Sequence, residues 1–130
     1  MKLLFAEDEI AMSEAVTDIL TYHHYIVDAV YDGVSALEYA RAEKYDGIIL
    51  DVMMPMLDGY QVLSTIRKFE TERNFKPEER TKVVMTTALN EEINVKKAME
   101  IGCDAYVGKP INVERFTMLL SKMGFEKIKD

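Results

Sequence analysis

The chain has a single cysteine, Cys103, so no internal disulfide can form. A lone thiol fits a reducing compartment, and a cytoplasmic location is expected. Long apolar runs are also missing. Nothing approaches the ~20 apolar residues of a membrane span. The opening Met1–Ala6 reaches Glu7-Asp8-Glu9 too early for a secretory leader. Positive charge is scarce: 16 Lys and Arg stand against 23 Asp and Glu, for a net charge of −7. Nucleic-acid surfaces need clustered bases, so direct nucleic-acid binding by this chain is not expected. The chain has no internal repeat and no low-complexity stretch.

What is present is one domain's worth of sequence. The 130 residues suffice for one core and not for two. Apolar runs alternate with amphipathic stretches. Lys2–Phe5 reads as a buried strand, and Ile10–His24 as a helix through Met12, Val16, Ile19 and Leu20. Tyr25–Val30 is strand-like, and Val34, Leu37 and Ala40 follow at helical spacing. Gly47–Leu50 ends in Asp51. Asp58 to Arg73 is helical through Val62, Leu63, Ile66 and Phe69. Lys82–Met85 is the fourth strand. A helix from Asn90 through Ile101 stops at Gly102, Ala105–Val107 is the fifth strand, and Asn112 caps a last helix with Phe116, Leu119 and Leu120. Five β–α units predict an α/β fold with a flavodoxin-like, doubly wound parallel sheet of order 2-1-3-4-5 and helices on both faces. The expected domain spans residues 1–123, with a short tail at 124–130.

In such sheets the site lies beyond the carboxyl ends of the strands. Glu7, Asp8 and Glu9 follow strand 1, and Asp51 follows strand 3. Thr86 and Thr87 follow strand 4, and Lys109-Pro110 follows strand 5. Clustered carboxylates raise each other's pKa unless a cation sits among them. Hard oxygen ligands in small number favour Mg²⁺. A lysine and a hydroxyl beside that cation suit the oxygens of a phosphoryl group. A carboxylate can then accept that group as an acyl phosphate. No histidine falls in these loops, so positioning and charge neutralisation would do the work rather than acid–base chemistry.

These residues carry a resemblance. Glu7-Asp8, Ile49-Leu50-Asp51-Val52-Met53-Met54-Pro55, Asp58-Gly59, Thr87-Ala88, Tyr106 and Lys109-Pro110 occur in order on the expected elements. The chain resembles a two-component response-regulator receiver domain of the stand-alone, chemotaxis-regulator-like kind, over essentially its full length. The resemblance implies that Asp51 is the phosphoacceptor. Asp8 would ligate Mg²⁺ directly, Glu7 through water, and Met53 through its main-chain carbonyl. Thr87 would contact the phosphoryl group and Lys109 would pair with it, with the Lys109–Pro110 bond expected cis. Thr87 and Tyr106 would be the switch residues. Partners are implied too: a sensor histidine kinase or phosphotransfer protein on helix 1 (Ala11, Met12, Ala15), and an unknown output protein on the face of helix 4, strand 5 and helix 5. A phosphorylation-dependent homodimer is left open. Such a protein is a phosphoacceptor and not an enzyme, and no membrane contact is expected.

The pattern departs from the family in places. Met53 and Leu89, two residues beyond Asp51 and Thr87, are both apolar. They are expected to hinder an attacking water and prolong the phosphorylated state. The segment through Arg67 resembles receivers attached to DNA-binding domains, whereas Thr86–Ile111 resembles stand-alone ones. A trimmed, recombined or engineered chain therefore remains a reading. Two other classes compete: a pseudo-receiver that is never phosphorylated, and a phosphatase using Glu7 and Glu9. Several features read as structural: His23 and His24 at a helix end, the nine methionines as gap-fillers, Cys103 as a small buried residue, and Asp58-Gly59 as the opening of helix 3. The charged run Glu70–Arg80 reads as a fraying helix end and a loop.

Overall fold

A computed structural model describes residues 1–88, 95–109 and 111–122. The elements alternate: β1 Lys2–Ala6, α1 Ile10–Tyr22, β2 Ile26–Val30, α2 Gly33–Ala42, β3 Gly47–Asp51, α3 Gly59–Glu72, a 3₁₀ turn at Pro77–Glu79, β4 Lys82–Ala88, α4 Val95–Ile101, β5 Ala105–Lys109 and α5 Val113–Lys122. The five strands form one parallel sheet of order β2-β1-β3-β4-β5, as the alternation predicts.

Period-two alternation sorts the core into two layers. Leu4, Ala6, Ile48, Leu50, Val83 and Met85 pack under α2, α3 and α4, through Ala36, Val62, Leu63, Ile66 and Ala98. Leu3, Phe5, Ile49 and Val84 pack under α1 and α5, through Val16, Leu20, Phe116 and Leu120. The central strands are apolar on both faces because helices cover both. Cys103 is buried. Among the described residues, no helix is long and apolar enough to cross a membrane.

Helix ends follow local chemistry. Asp32 accepts the Ser35 amide at 2.7 Å and caps α2. Asp58 and Gln61 form a reciprocal capping box at α3. Three helices close alike: the amides of Tyr25, Phe75 and Cys103 reach back to the carbonyls of Leu20, Glu70 and Ala98. The residue before each amide is left-handed: His24 at φ 71°, Asn74 at 57° and Gly102 at 116°.

Some expected boundaries move. β3 includes Asp51, β4 continues through Thr86 and Thr87 to Ala88, and β5 continues to Lys109. Asp51, Thr86, Thr87 and Lys109 are therefore held within the sheet ladder, whereas Glu7, Asp8 and Met53 lie just beyond the strand ends. Leu89, Asn90 and Pro110, with their expected roles, and the expected tail at 124–130 lie outside the described residues.

The run from Glu70 is not a fraying end. Glu70 is 2 % exposed. Its Oε1 accepts Arg67 Nη1 at 2.6 Å, and its Oε2 accepts the Thr81 amide at 2.8 Å. Arg67 also donates to Gly102 O, Thr81 O and Asp104 Oδ2, each at 2.9 Å. One guanidinium thus ties α3 to the end of α4 and to the start of β4 and β5.

Candidate functional site

The carboxyl edge of the sheet gathers the candidate residues by parity. Phe5 and Ile49 face the α1/α5 layer, and Ala105 and Val107 pack against it. Two residues on, the same alternation brings Glu7, Asp51 and Lys109 to one side of that edge. The geometry matches. Lys109 Nζ lies 2.7 Å from Glu7 Oε1 and 2.9 Å from Asp51 Oδ2. Carboxylate oxygens of Glu7, Asp8 and Asp51 all lie within 4.8 Å of one another. Glu7 and Asp51 are buried, at 1 % and 3 % exposure, while Asp8 faces solvent.

The remaining oxygens of the buried pair are held by main chain. Asp51 Oδ1 accepts the Met53 amide at 3.2 Å, and Glu7 Oε2 accepts the Glu9 amide at 3.0 Å. The Met53 bond holds the second residue of the β3–α3 loop directly beside the Asp51 carboxylate. Further along that loop, the Leu57 amide bonds Pro55 O at 2.9 Å across Met56, whose φ is 72°. This is a three-residue turn in a sparsely populated conformation for a non-glycine. Met54 and Leu57 anchor the loop against the core, and Met53 and Met56 are left exposed.

Charge follows from these contacts. Burial pushes the Asp51 carboxyl up to about 6; Lys109 opposes this and the Glu7 charge adds to it. Burial would also raise Glu7, but the hydrogen bonds from Lys109 and from the Glu9 amide outweigh it, so Glu7 sits below the ordinary carboxylate range. Burial works to lower Lys109, yet the two carboxylates beside it carry its pKa upward. One cation between two buried acids leaves negative charge uncompensated, with Asp8 adding more beside them. A divalent cation is the natural complement, and Glu7, Asp8 and Asp51 are residues that could hold it.

The hydroxyls come from β4. Thr86 pairs in register with Asp51, is fully buried, and its Oγ1 donates to Leu50 O at 3.4 Å. Thr87 pairs with Gly108 and is 2 % exposed. Alternation puts Thr87 on the same face as Met85 and half-buried Tyr106. The sequence reading thus finds its expected pair, Thr87 and Tyr106, on one layer, and Asp51 with Lys109 on the other. On α1, Ala11 and Ala15 are exposed and Met12 packs partly into the core.

One site residue was read too modestly. Asp58-Gly59 opens α3 as expected, but Gly59 also backs the main chain of Asp51. A Cβ there would lie 2.5 Å from Asp51 O, 2.9 Å from Met85 Cε and 3.0 Å from Val52 Cα. The Gly59 amide bonds Val52 O at 2.9 Å. Only glycine lets α3 start this close to the end of β3. The Asp-Gly dipeptide signals a turn; nothing in it signals the close approach.

Comparison with known proteins agrees with this geometry. The family model of the response regulator receiver domain matches residues 3–121. The regulatory protein VanRc of Enterococcus gallinarum is 37% identical over 111 residues, which is 85% of this chain and 44% of VanRc. The chain spans about half the length of such curated relatives. The receiver domain of the sensor histidine kinase PA1611 from Pseudomonas aeruginosa, whose structure has a magnesium ion coordinated in its active-site cleft, superposes with a TM-score of 0.80 at 26% identity, covering 93% of this chain and 94% of that one. The Vibrio cholerae chemotaxis response regulator CheY4 superposes at 0.81 with 26% identity, covering 93% of this chain and 96% of CheY4.

Proposed function

The chain belongs to the response-regulator receiver family, and from that premise we propose that Asp51 accepts a phosphoryl group in a Mg²⁺-assisted reaction. The observation that carries this reading is the single cation between two buried acids. Lys109 contacts both Glu7 and Asp51, and Asp8 stands beside them. The donor would be a phosphohistidine of a sensor kinase or phosphotransfer protein. A carboxylate oxygen of Asp51 forms the new bond to phosphorus as the phosphorus–nitrogen bond breaks and the electron pair leaves with the imidazole. When bound, Mg²⁺ supplies charge that offsets the phosphoryl oxygens. Glu7, Asp8, Asp51 and the main-chain carbonyl of Met53 would hold it. The Met53 amide orients Asp51, and Lys109 pairs with a phosphoryl oxygen.

Thr87 then turns toward the new anion and Tyr106 repacks against it, which biases the α4–β5–α5 surface for an output partner or a second copy. Ala11 and Ala15, small and exposed on α1, permit close approach of a donor's helix. The protein acts in the cytoplasm as a switch, not as a turnover enzyme. The phosphatase reading needs Glu7 as nucleophile. Glu7 is 1 % exposed, and both its oxygens face donors, which favours a holding role.

The test uses acetyl phosphate and Mg²⁺ with intact-mass readout on wild type and Asp51→Asn. The expected result is one phosphoryl group gained by the wild type, lost without Mg²⁺ and lost in the mutant. No gain in the wild type supports the pseudo-receiver. Turnover that survives the substitution supports the phosphatase.

A further inference from the structure

The sheet edge opposite Asp51 carries a second feature. Between the C-terminal halves of α2 and α3 lies a cavity of about 190 Å³. Its walls are mainly apolar, from Leu37, Ala40, Ile48, Ile66, Phe69 and Phe75, with Tyr45, Thr65 and Thr81 adding polar atoms. An apolar cavity of roughly 150 Å³ takes up benzene, so this one has room for a single ring and a short arm.

Its rim is basic in an acidic protein. Arg41 and Lys44 line the α2 side, and Arg73 lines the α3 side. Arg41 and Lys44 make no ion pair among the described residues. The Arg73 guanidinium lies 4.1 Å above the Phe69 ring and has no carboxylate partner there. The two lining acids are already engaged. Glu43 pairs with Lys2, and Glu70 is held by Arg67 and the Thr81 amide. The carboxyl ends of α2 and α3 both point here, and each counts as about half a negative charge. Together they offset about one of the three positive charges. The remainder favours an anion.

We propose that this cavity binds a small amphipathic carboxylate: one aromatic ring seated among Ile48, Ile66 and Phe69, with its acid on Arg41, Lys44 and Arg73. The site is separate from Asp51 and does not depend on phosphorylation. The aromatic walls favour a ring over a branched aliphatic body. The guanidinium groups of Arg41 and Arg73 suit a planar carboxylate.

The probe is 3-phenylpropionate, titrated into the ¹⁵N-labelled full chain and followed by amide chemical shifts. Saturable shifts are expected at Tyr45, Ile48, Ile66 and Phe69, with the amides around Asp51 unmoved. Affinity is expected in roughly the millimolar range, typical of so small a ligand. The neutral 3-phenylpropanamide is expected to bind about tenfold more weakly, as is the acid to Arg41→Gln/Lys44→Gln/Arg73→Gln, whose changes sit on the surface. Ala40→Leu, which fills the cavity, should abolish the shifts. Equal binding of acid and amide overturns the proposal, as does an unsaturable drift or a response centred on Asp51. Asp51→Asn should titrate like wild type, so loss of phosphorylation and loss of this site are told apart.

Discussion

Lys109 and Asp51 meet at 2.9 Å, yet the same ammonium is closer still to Glu7, at 2.7 Å. The Asp51 carboxylate therefore shares the one cation it contacts among the described residues with a second buried acid. Most of the behaviour expected of the metal-free protein follows from that shared contact.

Lys109→Gln removes the cation and leaves two buried carboxylates facing each other. Breaking a buried pair from one side costs about 3–5 kcal/mol. Urea unfolding at neutral pH in EDTA should register a loss of that order, and acidification should recover part of it as the carboxyls protonate. Stability equal to wild type at neutral pH contradicts the shared pairing.

Asp51→Asn should act in the opposite direction. The Asp51 pKa is raised to about 6, chiefly by burial, from an ordinary value of 3.8. A raised carboxyl binds its proton more tightly in the folded state. It therefore costs stability as pH climbs from 3.8 toward 6, and the cost is complete above that. The amide variant escapes it. Without metal, Asp51→Asn should melt higher than wild type at pH 7, and the gap should close as pH falls toward the ordinary carboxylate value. Glu7, with its pKa lowered, responds with the opposite sign, and without the Asp51 charge it keeps Lys109 to itself, which adds to the variant's advantage at pH 7. Added Mg²⁺ should raise the wild-type melting temperature more than the variant's. A variant that melts lower than wild type in EDTA at pH 7 would count against this account.

Gly59→Ala puts a methyl 2.5 Å from Asp51 O. Overpacking of that kind costs about 1–3 kcal/mol, because α3 must back away from the end of β3. Weaker Mg²⁺ binding should accompany the loss, read by titration of the intact chain. An unchanged melting temperature would mean that the helix start yields easily.

Arg67→Met should destabilise by about 3 kcal/mol, since it strands Glu70 without its charged partner in a buried position. Arg67→Lys should rescue little. A lysine cannot reach Gly102, Glu70, Thr81 and Asp104 together as the planar fork does. Adding Glu70→Gln to Arg67→Met should recover stability, and a double-mutant cycle measures the coupling.

Met53 stands 63 % exposed with its amide on Asp51. If its side chain and that of Leu89 screen the acyl phosphate from water, Met53→Asn/Leu89→Glu should dephosphorylate faster than wild type. Phosphoryl loss followed by intact mass gives both rates, and a variant as slow as wild type rules the screening out.

Much of this was legible in the sequence. Apolar runs such as Ile48-Ile49-Leu50 mark strands covered on both faces, and helical periodicity marks what covers them. The doubly wound rule then points to the residues that end those runs, and Glu7, Asp8, Asp51 and Lys109 do meet there. What escaped notice depends on contacts between distant segments. Thr86 and Thr87 read as loop because the apolar run stops at Met85, although ladder bonds from β3 and β5 carry the strand through them. Glu70 read as part of a fraying helix end because its partners are a residue one turn back on its own helix and a main-chain amide eleven residues on. No periodicity records a side chain that turns inward to cap a neighbouring strand. The same holds for Gly59, whose requirement comes from the backbone it touches.

The α3 helix joins the two ends of the molecule. Its first residue is wedged against Asp51, and its last turns carry Glu70 and run into Arg73. Fourteen residues make a rod of about 21 Å. Pivoted at Gly59, a tilt of about 5° sweeps its far end through about 2 Å, enough to open or close a gap of side-chain width. Such a helix would act as a lever whose pivot is the main chain of Asp51 and Val52 against Gly59. A small adjustment beside Asp51 would therefore grow along α3, reaching about half its full sweep at Arg67 and the whole of it at the last turn, beside Arg73.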